Sequence, residues 1–519
     1  MRISTSQYYE TTAASYQKNF SNAVASSEEA SSLVRVKTAA DDPVGAARLL
    51  QLGQQASLLD QYKANSNSIK ASLGQTESVM TSINSVLARA KELATASANA
   101  GYTDKDRQAS ASELGQIEEQ LLSLMNTQDE NGKYIFGGSK DSVAPFSRNS
   151  DGTYSYNGDQ SSLMLPVGDT MQMAANSTGW DVFQQALNTS RSQVTQTAPL
   201  PDDGRISLSN GQMSNSGAYN SQFRSGEPYT VSFVTGTQLK ITDSTGTDVT
   251  SELSQGGVYS NSPNQTLSFR GVDLTLNVNL AAGENANTVL PGHTFNLASK
   301  PDSFNVARSP GNPSMTQVSG ASVTNQAAYN STFPSGSAIL KFTSATNFDL
   351  YAAPLTADSK PVSSGVVAAG VATAAGVSFT LAGTPAANDQ FSVAVNNHEN
   401  QNILDTVSQL RTALNTPTAG NTLATQKQVA DVTSGIANLA SGIDQVSIGL
   451  SSVGGRGSAL STQNEINESL AAANVTTRSA ISDSDPAEVM TRLTLQQTML
   501  QASQLAFSKI SQLGLFNKI

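Results

Sequence analysis

The 519-residue chain has no cysteine, which removes disulfides, thiolate metal sites and cysteine nucleophiles together. Histidine occurs only at His293 and His398. Each stands alone, so neither a metal centre nor an imidazole base is expected, and both are read as surface residues. Tryptophan occurs once, and aromatics make up 6% of the chain without the basic interleaving of a nucleic-acid groove, so no nucleic-acid partner is expected. No apolar run approaches the roughly 18 residues of a membrane span, and Met1-Arg2-Ile3-Ser4-Thr5-Ser6-Gln7 lacks the apolar core of a secretory signal. The expectation is a chain with no membrane insertion that is either cytoplasmic or exported without a cleaved signal. With no nucleophile motif and no metal-ligand spacing, neither an enzyme nor a cofactor is expected. The net charge of -11 is acidic but diffuse.

What the chain does have is apolar periodicity at both ends. The last stretch, Asp483 to Ile519, opens on Asp485, placed to cap a helix, and Pro486, suited to the first helical position. Beyond them Leu493, Leu500 and Phe507 recur every seven residues. Leu495 and Ala502, and Met499, Ala506 and Leu513, recur at the same period on a second face, and Leu505 adds to the apolar content. One seam serves one partner helix, so two apolar faces predict burial among several helices, some from other subunits. Residues 1 to 40 carry a weaker heptad through Tyr9, Ala13, Tyr16, Phe20 and Ala23, marginal as an isolated helix. The expected assembly interface is Leu493, Leu495, Met499, Leu500, Leu505, Phe507 and Leu513, with Tyr16 and Phe20 from the first segment.

Asp42 and Pro43 repeat the capping device and open a helix whose period runs from Leu52 through Ile69, Leu73, Met80, Ile83 and Leu87 to Ala94. At 1.5 Å per residue it is a rod of about 80 Å. Gly101 ends it, and a second helix, capped by Thr103, folds back. A matching heptad follows late in the chain at Val432, Ile436, Leu439, Ile443, Val446 and Leu450. These two stretches are natural coiled-coil partners. Gly435, Gly442 and Gly449 sit beside the late seam, each costing about 1 kcal/mol in a helix, and predict close approach of a neighbour. Gly454-Gly455-Arg456-Gly457 reads as a flexible joint.

Between the arms the period becomes extended. Gly132-Lys133-Tyr134-Ile135-Phe136-Gly137-Gly138 introduces short strands, with the paired glycines read as a turn or bulge, and Asp181 to Thr195 reads as a short helix. Residues 200 to 400 contain a duplication. Ala218-Tyr219-Asn220-Ser221-Gln222-Phe223 is echoed by Ala328-Tyr329-Asn330-Ser331-Thr332-Phe333, Gly271 to Leu276 by Gly376 to Leu381, and His293 to Leu297 by Asp389 to Val393. The predicted fold is multi-domain α+β: long antiparallel coiled-coil helical arms from both chain ends, with antiparallel β-domains inserted in the middle. Its expected parts are 1–42 with 483–519 as terminal assembly helices, 43–138 with 402–482 as the coiled-coil core, 139–199 as a β-rich domain, and 200–310 and 311–401 as two inserted β-modules.

Met1-Arg2-Ile3-Ser4-Thr5, Asp41-Asp42-Pro43-Val44 with Tyr62 and Asn65, Asn131 to Gly138, and Gln496-Gln497-Thr498-Met499-Leu500-Gln501-Ala502-Ser503 with Leu515-Phe516 closely resemble the flagellin family of bacterial flagellar axial proteins. The Gly-x-Tyr-x-Phe-Gly-Gly signature resembles the hook-filament junction branch of that family more than its filament subunits. The resemblance covers about 1–185 and 400–519. It implies a structural adaptor, exported through the flagellar type III apparatus with a cytoplasmic chaperone on its last helix. That adaptor assembles with itself as a ring between the other hook-associated junction protein and flagellin, at an extracellular position on the flagellum. It also implies terminal segments that become helical only on assembly. A filament-forming flagellin and a surface adhesin acting through the inserted β-modules are the alternatives.

Overall fold

The computed structural model describes residues 5–99, 101–334 and 336–516, without the side chains of residues 5, 6, 9 and 510–516. Its long helices are α1 (Thr5–Ser32), α2 (Pro43–Ser97), α3 (Asp104–Met125), α4 (Ile403–Asn415), α5 (Thr422–Ser482) and α6 (Pro486–Phe516). The chain forms two compact units, Met1–Leu73, Met164–Ala175 and Gly455–Ile519 in one, Gly74–Leu163 and Asn176–Gly454 in the other. α2 and α5 each contribute one part to either unit.

The helix starts follow local chemistry. Asp42 Oδ1 accepts from the backbone N–H of Val44 at 3.2 Å and of Gly45 at 2.9 Å, while Asp41 closes the preceding turn on the N–H groups of Lys37 and Thr38. Asp485 Oδ1 accepts from Ala487 N at 2.8 Å. Thr103 and Asp106 form a reciprocal capping box on α3.

In the larger unit the buried faces of α2 (Met80, Ile83, Leu87), α3 (Leu114, Leu121), α4 (Leu404, Val407, Leu410) and α5 (Val432, Leu439, Val446, Val453) supply the helical core. Ile436, Ile443 and Leu450 are half-buried beside that seam. The neighbour that the glycines of α5 admit is chiefly α4. A Cβ at Gly435 would meet Leu410 at 2.8 Å and one at Gly442 would meet Ile403 at 3.2 Å, and only at Gly449 is the neighbour Met80 of α2, at 2.6 Å. The glycine run 454–457 loosens nothing: α5 passes through it as unbroken helix. In the smaller unit Arg456 donates to the carbonyl of Ala174 at 3.2 Å, tying that stretch to the hairpin of Met164–Pro166 and Gln172–Ala174.

The same hairpin is held by α2, where Asn65 Nδ2 donates to Pro166 O at 2.8 Å and the Tyr62 hydroxyl to Asp169 at 3.3 Å. The seven-residue rhythm of α5 also continues further than its apolar residues, from buried Leu460 to buried Asn467 and Asn474. Asn467 donates to Val167 O at 2.8 Å and Asn474 to Leu52 O at 2.9 Å. Buried amides in a coiled-coil seam fix register at some cost in stability.

The duplication is a duplication of structure. One four-stranded antiparallel sheet runs Leu239–Thr242, Tyr229–Phe233, Thr294–Ser299, Ser192–Ala198, and its counterpart runs Asn347–Ala352, Ser337–Phe342, Gln390–Asn396, Ser303–Arg308. In the first copy a separate sheet holds Gln265–Phe269, Val272–Val278 and Ile206–Leu208. In the second, the added strand Ser363–Ala368 joins both sheets into one of eight strands. The echoed motifs also bond alike. Asn215 caps Ala218 N at 2.9 Å as Asn325 caps Ala328 N at 3.0 Å. Gly271 and Gly376, at φ 82° and 77°, accept from the backbone N–H of Asn215 and Asn325 respectively. A side chain at either position would strike the neighbouring carbonyl, so glycine is required there.

Two expectations fail here. Asp181 to Thr195 is not a helix: a π-helical turn at Trp180–Gln184 gives way to strand Ala186–Leu187, paired with Asn400–Gln401, and then to Ser192–Ala198. The amphipathic spacing is satisfied by burying Val182 and Phe183 in one turn, and a strand distant in sequence captures the residues just beyond it. His293 is buried, not on the surface, with Nδ1 at 2.9 Å from Leu290 O and Nε2 at 3.0 Å from Asp203. His398 is half-buried, its Nε2 at 2.9 Å from Pro301 O.

Asp405, in the first turn of α4, accepts from Tyr154 N at 2.9 Å. Burial raises its carboxyl to about 6, opposed by the Tyr154 N–H and reinforced by the charges of Asp151 and Glu118. A carboxyl raised on folding is protonated in both states below its ordinary value of about 4, so it costs nothing there. The penalty for the charged form builds between about pH 4 and 6 and persists above. Asp405→Asn keeps an acceptor for Tyr154 and is expected to stabilise the protein by about 1–2 kcal/mol at pH 7.5, after allowing for the lost helix-dipole interaction, and by nothing at pH 4. Hydrogen exchange of residues 146–156 and 403–415, read against the unmodified chain at each of the two pH values, tests this, and equal gains in protection at both would contradict it.

Candidate assembly surface

Within the smaller unit α1 and α6 pack on each other. The reason is legible in α1, where Tyr16, Asn19, Ala23, Ser26 and Ala30 lie at three-four spacing with Ala23 and Ser26 fully covered. From α6 the half-buried Leu493, Leu500 and Phe507 share one face, to which the buried Val489 belongs. The rings of Tyr16 and Phe507 stack at 6.1 Å, and Asn19 Nδ2 donates to Ser503 Oγ at 2.5 Å. Arg492 donates to Glu29 Oε2 at 2.6 Å, while Ser484 Oγ donates to Glu29 Oε1 at 2.6 Å.

The segments leading into the pair are clasped as well. Arg35 N donates to Ser482 O at 2.6 Å and Ser484 N to Leu33 O at 2.9 Å, an antiparallel bridge between Val34 and Asp483. The Arg35 guanidinium adds a bond to Ile481 O at 2.8 Å. Around this clasp Asp41 and Asp483 are both held below the usual carboxylate range, Asp41 chiefly by the Thr38 N–H and Asp483 by the hydroxyls of Ser479 and Ser482. The heptad pattern did not contain this bridge. Leu33, in left-handed backbone at φ 54°, turns the chain into it, and nothing in a leucine announces that conformation.

The second face of α6 is open. Leu495 is 56% exposed and Met499 50%, and Leu505, 62% exposed, lies on a further side of the helix about 100° away from them. At 100° per residue Leu495, Met499, Ala502 and Ala506 form a stripe about 120° round the helix from Leu493, Leu500 and Phe507. Phe20 of α1, grouped with Tyr16 by the heptad, is 52% exposed, because Asn19 takes the inward position. The Leu513 side chain lies outside the described residues. Of the residues expected at an interface, Leu493, Leu500, Phe507 and Tyr16 thus meet within one chain, whereas Leu495, Met499, Leu505 and Phe20 face outward.

Among the described residues this surface holds the Arg492–Glu29 ion pair, caps and hydroxyl bonds, and no three His, Asp or Glu side chains converge as a metal site. No helix among the described residues is long and apolar enough to cross a membrane. What the arrangement can do is present apolar helix faces for burial.

Comparison with known proteins agrees with this organisation. Residues 3–141 match the family model of the bacterial flagellin N-terminal helical region. Flagellar hook-associated protein 3 of Salmonella typhimurium strain LT2 is 29% identical over 202 residues, which are 39% of this chain and 61% of that protein. The Escherichia coli K12 protein of the same name is 28% identical over 210 residues, 40% and 63% respectively. The chain thus spans somewhat over three-fifths of these relatives. A flagellin of Clostridium tyrobutyricum is 30% identical over 122 residues, 24% of this chain and 32% of that one. The crystal structure of the flagellar junction protein FlgL from Legionella pneumophila superposes with a TM-score of 0.50 at 18% identity, covering 83% of this chain and 100% of the other, which places the two in one fold.

Proposed function

We propose that this chain, which is homologous to flagellar hook-associated protein 3 and carries a flagellin N-terminal helical region, is a structural subunit joining hook to filament in a bacterial flagellum. The observation that carries the reading is the two-faced α6, with Leu493, Leu500 and Phe507 turned to α1 and Leu495, Met499 and Leu505 left in water. Large apolar side chains left uncovered on one helix, with Leu495 and Met499 on one stripe and Leu505 beside it, are what a protein exposes when a partner covers them. In this role 1–42 with 483–519 form the assembly part, and the chain works by positioning rather than by chemistry. It assembles with copies of itself as a ring, with the other hook-associated protein on one side and flagellin on the other. Export through the flagellar type III apparatus, with a cytoplasmic chaperone on α6 beforehand, and an extracellular position belong to the same proposal. In the same proposal the residues from Ile69 to Leu87 and from Val432 to Leu450 serve as the coiled-coil core.

The energetics support late ordering of the ends. Fixing the backbone costs about 1–2 kcal/mol per residue, and on α6 only Val489 is fully buried among the described side chains. Hydrogen exchange tests this. Residues 5–32 and 486–509 are expected to exchange within seconds in the isolated chain and at least about a hundredfold more slowly once on the hook, as burial by neighbours is added. Slow exchange in the free chain would contradict the proposal. Growth of long filaments from the purified chain alone would return it to the filament subunits.

A further inference from the structure

The two copies of the duplicated β-fold are held in place unequally. Among the described residues their apolar cores are separate, and neither takes a residue from the other. The first copy is fastened to α5. Asn279 and Gln426 exchange amide bonds at 2.9 and 2.8 Å, Gln212 donates to Thr433 O at 3.2 Å, and Asn438 accepts from Thr189 N at 2.7 Å just ahead of strand Ser192–Ala198. The second copy, from strand Ser303–Arg308 to strand Gln390–Asn396, has no such fastening. Among the described residues three hydrogen bonds lead out of 303–396: from the Tyr329 hydroxyl to Asp302 Oδ2 at 2.7 Å, from Asn330 Nδ2 to Arg224 O at 3.5 Å, and from His398 N to Asn396 Oδ1 at 3.0 Å.

The stalk between the copies is short. On the outward strand Lys300 N donates to Arg191 O at 2.7 Å, on the returning strand Glu399 O accepts from Asn188 N at 2.9 Å, and Ser303 already pairs with Asn396 inside the second copy. Between these anchorages lie Pro301 and Asp302 on one strand and Asn397 and His398 on the other. Hinges are made of a few such residues, which absorb the change in backbone angles. His398 stands in left-handed backbone at φ 55°, and its Nε2 lies 2.9 Å from Pro301 O, so the two strands move together. Pro301 fixes its own φ, which restricts the swing to few directions. Beside the stalk a cleft of about 300 Å³ separates Asn220, Arg224 and Ser225 of the first copy from Tyr329, Asn330 and Phe333 of the second. Asp302, 6% exposed, holds both sides, accepting from Arg224 Nη2 at 3.1 Å as well as from the Tyr329 hydroxyl. A joint of polar contacts around a cleft opens without uncovering either core, because water replaces the bonds that are lost.

We propose that residues 301–302 and 397–398 form a hinge on which the second copy swings as one body, and that Asp302 is the latch that holds it at a single angle. The device uses no residue of the assembly surface and gives the chain a module that changes angle while the first copy stays on α5. Because the chain has no cysteine, spin labels attached at Ser251→Cys in the first copy and Ala357→Cys in the second, both exposed positions, report that angle in the full-length protein by pulsed dipolar spectroscopy. One narrow distance distribution is expected with the latch intact. Asp302→Ala should broaden it at least about twofold, and Tyr329→Phe, which keeps the Arg224 pair, should fall between the two. Labels at Ala357→Cys and Thr384→Cys, both within the second copy, should keep their distance in all three proteins. A broad distribution with Asp302 and Tyr329 in place would overturn the latch, and a narrow one that survives Asp302→Ala would overturn the hinge. An internal distance that is lost along with the angle would mean that Asp302 holds the fold of the copy and not its placement, which also overturns the proposal.

Discussion

Cells carrying Leu495→Asp together with Met499→Asp are expected to export the protein normally and to swim no better than cells lacking it. Both side chains are half in water in the isolated chain, so the monomer loses little by the change, within about 0.5 kcal/mol per site. The consequence falls on the assembled state. Covering the remaining apolar surface of each residue recovers about 1 kcal/mol per contact, whereas an aspartate in the same place must be desolvated without a partner, at a cost of several kcal/mol. The combined swing of about 5 kcal/mol weakens each subunit contact by three to four orders of magnitude. In the proposed ring every subunit would suffer it. The control is Gln497→Asp, an exposed position between the two on a different face, which should leave swimming intact. Swimming-plate halos, electron microscopy of filaments and melting of the purified monomer make up the measurement. Normal halos with the double variant would remove α6's open face from the assembly. A lowered melting temperature would instead show that Leu495 and Met499 pack within the monomer.

The sequence is most informative where structure is decided within a few residues. The starts of α2, α3 and α6 follow from Asp42-Pro43, Thr103 with Asp106, and Asp485-Pro486, because a cap satisfies N–H groups of its own first turn. Both seams and the duplication are legible for the same reason: a repeat is visible without knowing what it touches. The two faces of α6 are also readable, though which of them meets α1 is not, since Leu493 and Leu495 look alike until Tyr16 and Asn19 are placed opposite one of them. Most of the failures are decided at a distance. The Trp180–Leu187 stretch has helical spacing but yields to Asn400–Gln401, more than two hundred positions away. The glycine run 454–457 remains helical in a stretch where Arg456 reaches the carbonyl of Ala174. Asn467 and Asn474 were detectable by extending the seven-residue count past Leu460, and only a search for apolar residues stops there.

The largest loss of stability is expected from Asp302, which lies between the two copies of the duplicated motif. Its Oδ2 accepts from Arg224 Nη2 at 3.1 Å on the first copy and from the Tyr329 hydroxyl at 2.7 Å on the second, and burial, with Asp302 beside it, pushes the Tyr329 phenol well above its ordinary pKa. Tyr219, the residue that Tyr329 echoes, donates to Ser299 Oγ and to Arg191 O, each at 3.0 Å, and the buried Arg191 guanidinium lies 4.5 Å from the Tyr219 ring. Glu227 completes the cluster by accepting from Ser299 N at 2.5 Å. Arg224 thus faces two carboxylates, Asp302 at 3.1 Å and Glu227 at 3.9 Å, while the charges of Glu399 and Asp302 act on Arg191. Asp302→Ala takes from the part-buried Arg224 its nearest carboxylate, leaving only Glu227 at 3.9 Å, and orphans a buried phenol, which predicts a loss of about 3–5 kcal/mol. Tyr329→Phe removes a single hydrogen bond and predicts a loss of about 1–2 kcal/mol. Because several domains make one global melt ambiguous, the reading is hydrogen exchange and proteolysis confined to residues 200–400. Arg224→Ala with Asp302→Ala should cost clearly less than the sum of the single changes, since each removes the charge that the other strands. Additive losses, or a loss below about 1 kcal/mol for Asp302→Ala, would mean that water already reaches this pair and that the two sheets are held by their apolar cores alone.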